Sequence, residues 1–173
     1  MFSTEDTIVA IASAAGAAQR GIIRLSGPDV EPALGRVIAD IESIVASAAS
    51  ATVYRVATRN LDGFPSVPAD LYYWPDARSY TQQSSAELHL PGAGPLLQFI
   101  LNTICLDTQS SATEQDNCIR VAQPGEFTLR AFLAGRIDLT QAEAVLGVID
   151  ARDKKELDLA LSQLAGGLNS RFE

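Results

Sequence analysis

Glu87 and His89 stand two residues apart in the segment 84–90, whose composition predicts a strand, so both side chains leave the same side of it. His89 is the only histidine in the chain. One histidine cannot build a multi-histidine metal site. It reads as a satisfied, partly buried ring whose charge state tunes its surroundings near neutral pH rather than as a catalytic base. Phosphate chemistry of the P-loop kind needs Gly-Lys-Ser/Thr, with backbone amides and the lysine around the phosphates and the hydroxyl on magnesium. The only lysines, Lys154 and Lys155, sit in Arg-Asp-Lys-Lys-Glu, and neither follows a glycine. Cys105 falls in an apolar helical run and Cys118 at the start of a predicted strand, and both read as structural thiols.

The elements that must position these groups follow from the spacing of apolar residues. Residues 6–12 and 21–26 are rich in Ile and Val and flank the small-residue loop 13–20, which predicts two strands joined by a loop. Further strands are predicted over 51–58, 67–74, 84–90 and 118–122. Ser26-Gly27-Pro28-Asp29 opens a helix, with Pro32 in its first turn or so and Val30, Leu34, Val37, Ile38, Ile41 and Val45 at helical spacing to about residue 47. Gly94-Pro95 opens a second helix through Leu106, and a polar linker follows over 107–117. Strands and helices without regular alternation define an α+β class, a mixed β-sheet with flanking helices.

At 173 residues and 47% hydrophobic content, the chain can bury one ordinary core with a helical extension. Its net charge of -8 opposes broad attraction to phosphate backbones, which rests on Lys and Arg. Two cysteines are too few for a disulfide framework, and no apolar signal region precedes Asp6, so a reducing cytoplasm is expected. No apolar run approaches the roughly 18 residues of a membrane span.

The stretch PGEFTLRAFLAGRIDLTQAEAV, residues 124–145, is the most specific in the chain. Pro124 suits a first helical position and Gly135 a helix stop. Thr140 and Glu143 stand at capping-box spacing, opening a helix whose apolar side is Ala142, Val145, Leu146 and Ile149. A last helix over about 153–165 carries Leu157, Ala160, Leu161 and Leu164, and Gly166-Gly167 stops or bends it. The wording of this stretch closely resembles PGEFT-RAFLNGK-DL-QAEAV, a signature of the tRNA-modification GTPase family MnmE/TrmE. Asp6–Ala12 followed by Gly21-Ile22-Ile23-Arg24-Leu25-Ser26-Gly27-Pro28 is similar to that family's amino terminus, and Ser79-Tyr80-Thr81 with Glu87-Leu88-His89 to its SYTGED-VEIH segment.

The resemblance implies an amino-terminal domain over 1–134, similar in fold to folate-binding aminomethyltransferases, and the beginning of a truncated helical domain over 135–173. It implies that Arg24, Glu87 and Arg136 bind 5-formyltetrahydrofolate or another one-carbon tetrahydrofolate, converging on a cleft with His89 and the 13–20 loop at its rim. A carboxylate accepts the paired N–H donors of a pterin edge, and guanidinium suits the anionic folate tail. The family pattern has a lysine where Arg136 stands, and the loops differ: TPPGRGG-G is Ser13–Gly21 here, and HCHGGP is His89–Pro95. The implied partners are a second copy in a homodimer, an MnmG-like flavoprotein, and tRNA indirectly through the full assembly. GTP, Mg and K belong to a full-length relative, whose Cys-x-Gly-Lys motif is also absent here. The alternative is a structural dimerisation or interaction module with a vestigial folate pocket.

Overall fold

Alternating burial along 68–74 and 85–92 gives those strands one face for a core and one for something else. The computed structural model describes residues 4–14, 16, 18–61, 63–75, 77–106 and 119–164. Among them six strands, β1 (Thr7–Ile11), β2 (Ala18–Ser26), β3 (Thr52–Ala57), β4 (Pro68–Trp74), β5 (Ser85–Gly92) and β6 (Ile119–Val121), form one sheet in the order β3-β4-β5-β2-β1-β6. All neighbours run antiparallel except β1 and β6, which are parallel. The class is therefore α+β with a mixed sheet. β2 begins at Ala18, so the loop read over 13–20 is shorter, and Gln19 and Arg20 belong to a strand.

Helices α1 (Val30–Gly35), α2 (Ile41–Ser47) and α3 (Gly94–Cys105) contribute to the core with one face of the sheet. Val9, Ile23, Leu25, Leu71 and Leu88 from the strands, and Leu97, Ile100 and Ile104 from α3, are buried there. The single helix expected from Ser26 to about residue 47 is two. α1 stops at Gly35, Ile38 forms an isolated bridge with Thr58, and Asp40 takes a left-handed conformation at φ 56° before α2 starts. The burial pattern nevertheless holds, since Val30, Leu34, Val37, Ile38 and Ile41 are all buried. Pro32 does lie in the first turn of α1, where its missing N–H costs no helical hydrogen bond.

The described residues divide into two compact units, the first spanning 1–79 and 83–122 and the second 80–82 and 123–173. In the second unit, α4 (Glu126–Leu133) has Gly125 as its N-cap at φ 77°, so Pro124 precedes the cap rather than filling the first helical position. Gly135 ends α4 at φ 71°. Its N–H donates to the Phe132 carbonyl and that of Arg136 to the Ala131 carbonyl, the paired closure that only a left-handed residue permits. The next helix, α5 (Leu139–Asp150), starts one residue before the expected cap at Thr140. Asp138 Oδ1 accepts from the Gln141 N–H at 2.7 Å, and Gln141 Oε1 accepts from the Asp138 N–H at 3.0 Å. The capping box is thus Asp138/Gln141, not Thr140/Glu143.

The buried side of α5 also differs from the expected stripe. Ala144 is buried, whereas Leu146 and Ile149 are 58% and 72% exposed. α5 packs against α6 (Lys154–Leu164) through small residues, with Gly147 close to the buried Ala160. That close approach selects a different helix face from the one the large apolar residues mark. Gly166-Gly167, Cys118 and the linker 107–117 lie outside the described residues. No helix among those described is long and apolar enough to cross a membrane.

Candidate functional site

The site is built on the sheet face that carries the polar half of each alternation. In β4 and β5 the residues 70, 72 and 74 and 85, 87 and 89 share that face, and pairing with β2 and β3 aligns them in rows. One row runs Val53, Tyr72, Glu87, Arg24 and Ala10 across β3, β4, β5, β2 and β1. The next runs Arg55, Asp70, His89 and Ile22.

Glu87 is the centre of the first row. Its Oε1 accepts from Arg24, with Nε at 2.8 Å and the second guanidinium nitrogen at 2.7 Å, and its Oε2 lies 3.0 Å from His89 Nε2. Burial pulls the Glu87 carboxyl upward in pKa. The hydrogen bond from His89 and the charge and hydrogen bond of Arg24 outweigh it, leaving the group below its ordinary value of 4.5. An ionised carboxylate can only accept, so His89 Nε2 carries the hydrogen between them. In the neutral ring Nδ1 is then an acceptor. Nδ1 is buried and meets no hydrogen-bond partner among the described residues. Tyr72 packs its ring on His89 with centroids 4.5 Å apart, and Trp74 stacks beyond Tyr72 at 6.4 Å. The result is an oriented carboxylate, a guanidinium, an imidazole whose Nδ1 has no partner among the described residues and an aromatic wall.

A cleft of about 710 Å³ adjoins this group, lined by Gln19, Arg20, Arg55, Asp70, His89 and Pro91 among others. Arg20 pairs with Asp70 at 3.0 Å. The structure thus joins Arg24 and Glu87, the two first-unit residues implied by resemblance, with His89. Arg136 belongs to the second unit, where its N–H closes α4. Tyr72, Arg20, Asp70 and Arg55 were not singled out from sequence, although the alternation in β4 already placed Asp70, Tyr72 and Trp74 on one face. No group of three or more His, Cys, Asp or Glu that could hold a metal occurs among the described residues. Cys105 is half-buried, and burial pushes its thiol up in pKa against the opposing charge of Arg36.

The depressed Glu87 carboxyl makes stability depend on pH with a definite sign. A carboxyl whose folded value lies below its unfolded one contributes stability that is present above the unfolded value and is lost as pH falls through the folded value. Glu87→Gln is therefore expected to flatten the loss of stability below about pH 4.5, read as urea midpoints across an acid series. An unchanged acid slope in the variant would contradict the ion-paired state of Glu87.

A mixed sheet whose second face carries a charged, half-buried cluster, followed by a separate helical unit, defines an α+β class of domain. Residues 7–136 match the family described as GTP-binding protein TrmE N-terminus, and the chain belongs to that family. It is 48% identical over 168 residues to the tRNA modification GTPase MnmE of Rhodopirellula baltica, covering 95% of this chain and 33% of that protein. The proteins of the same description from Syntrophotalea carbinolica and Myxococcus xanthus are 39% and 34% identical, over 95% and 100% of this chain and 34% and 36% of theirs. The chain therefore spans about a third of the length of the curated relatives it matches.

Proposed function

We propose that this chain is the tetrahydrofolate-binding and homodimerising amino-terminal part of a cytoplasmic tRNA-modification GTPase acting on the wobble uridine. The observation that carries this reading is Glu87, held ionised between Arg24 and His89 on a half-buried sheet face. Carboxylate oxygens offer about four accepting sites between them, and the three contacts from Arg24 and His89 leave Oε2 able to take a further N–H. The amidine edge of a pterin supplies such donors. His89 Nδ1 is a further polar atom with no partner among the described residues, and Tyr72 and Trp74 give a flat ring an apolar wall. Arg136, in the second unit, is a cofactor-binding residue by the family resemblance alone. The chain positions the one-carbon carrier and performs no GTP chemistry of its own. An MnmG-like flavoprotein and the tRNA are partners of the full assembly.

Homodimerisation has its support in the second unit, where Leu146, Ile149, Leu159 and Leu161 are 46–72% exposed. Exposed apolar groups of that number favour a covering surface.

Calorimetric titration with 5-formyltetrahydrofolate tests the folate assignment. Glu87→Ala is expected to cost about 1–3 kcal/mol by leaving ligand donors unmatched in a partly desolvated site, roughly a tenfold to hundredfold loss of affinity. Arg136→Lys keeps the charge and is expected to change affinity less than Glu87→Ala. No binding to the wild-type chain at millimolar folate would leave the structural dimerisation module with a vestigial pocket as the correct reading.

A further inference from the structure

The cleft next to His89 has an electrostatic character opposite to that of the chain. The protein as a whole carries a net charge of -8. On the site face of β2–β5, however, the guanidinium groups of Arg20, Arg24 and Arg55 face only two carboxylates, Asp70 and Glu87. Glu87 is committed to Arg24. Asp70 bonds Arg20 at 3.0 Å and stands directly across the strand pair from Arg55. Arg55 itself is exposed and makes no hydrogen bond or ion pair among the described residues. Arg20 paired with Asp70, beside an Arg55 with no such partner, makes a site for further carboxylates, which guanidinium binds in bidentate fashion.

Position matters as much as charge. Arg55 is two strands and two residues from Glu87, which at ordinary strand spacing and rise places their Cα atoms about 12 Å apart. That is farther than a pterin ring reaches and within the span of a pterin extended by an aminobenzoyl bridge. The cleft of about 710 Å³ is lined by His89 together with Arg20, Asp70 and Arg55.

We infer that this cleft is an anion subsite for the glutamate tail of the folate, with Arg55 and Arg20 as its binding groups, and that the preferred ligand is a poly-γ-glutamylated folate. The inference rests on the folate reading given above and adds the form of the ligand and the residues that select it. Asp70 acts as the internal competitor that the tail displaces.

The test is a titration of the full chain with 5-formyltetrahydrofolate bearing one or five glutamates, at low and at high salt. The five-glutamate form is expected to bind on the order of tenfold more tightly at low salt, with the advantage shrinking as salt screens it. Arg20→Ala combined with Arg55→Ala should weaken both forms and abolish the advantage, bringing the two affinities within about threefold of each other. Asp70→Asn should enlarge it. Thermal melts of these variants check that the fold is retained. Equal affinity for the two tails in the wild-type chain, or an advantage that survives the double substitution, would overturn the subsite while leaving the folate reading intact. Failure of both folates to bind at millimolar concentration would overturn both.

Discussion

Replacing Glu126 by alanine is expected to destabilise the second unit by about 3–5 kcal/mol, the usual cost of removing one member of a buried ion pair. Glu126 and Arg130 lie one turn apart on α4, 3.3 Å from each other, and their side chains are only 1% and 3% exposed. Glu126 Oε2 also accepts from the Gln123 N–H at 2.8 Å, tying the chain before α4 to the helix. The substitution strips that N–H of its acceptor and deprives a buried guanidinium of its carboxylate. An exposed pair at the same spacing is worth only about 0.3–0.5 kcal/mol, so burial decides the magnitude. Urea unfolding combined with amide exchange in α4 and α5 would measure the effect, and a loss below about 1 kcal/mol would mean that the pair behaves as a surface one.

Gly27→Ala is the corresponding expectation for the first unit. Gly27 sits at φ 143°, and a Cβ there would lie 2.5 Å from Thr7 Cα and Oγ1 and 2.7 Å from the Asp6 carbonyl oxygen. Thr7 cannot retreat freely. It is fully buried in β1, and its Oγ1 accepts from the Asp29 N–H at 2.7 Å, fixing the turn that leads into α1. Backbone strain and overpacking each cost about 1–3 kcal/mol, so a total loss of about 2–6 kcal/mol is expected, out of about 5–15 for a domain. A variant melting with the wild-type chain would show that the β2–α1 turn accommodates a side chain without strain.

Local spacing made most elements legible, and the places where it failed have physical causes. The strands over 68–74 and 85–92 show the alternation that a half-buried sheet requires, while that over 7–11 was readable as an Ile- and Val-rich run. Helical spacing across residues 30–45 identified the buried side chains but not the break at Gly35–Asp40, because Val37 and Ile38 fill a core equally well from a turn as from a helix. Two overlapping cap patterns competed at the start of α5, and Asp138/Gln141 prevailed over Thr140/Glu143, with Asp138 lying two residues past the Arg136 N–H that closes α4. The α5 stripe misled because Gly147 and Ala160 let two backbones approach, a contact that outweighs the pull of Leu146 and Ile149 toward burial.

The site divides along the same line. Glu87 and His89 share a strand, so their common side was readable from their spacing. Arg24 lies 63 residues from Glu87 in sequence, and its place opposite that carboxylate depends on β2 entering the sheet between β5 and β1, which no local pattern encodes. Family wording supplied Arg24 instead. Arg55, Asp70 and Tyr72 carry no such wording, and only the strand register brings them beside His89.

The most direct measurement is an isotope-edited NMR titration with 5-formyltetrahydrofolate, since the chain's single histidine gives one unambiguous ring signal. The expected result is a saturable shift of His89 Nδ1 together with the amides of Arg24, Tyr72 and Glu87, and its weakening by tenfold or more in Glu87→Ala, in line with about 1–3 kcal/mol. A spectrum unchanged at millimolar folate, or shifts confined to α1, α2 and α3 on the core side of the sheet, would contradict the assignment of this face as the folate site.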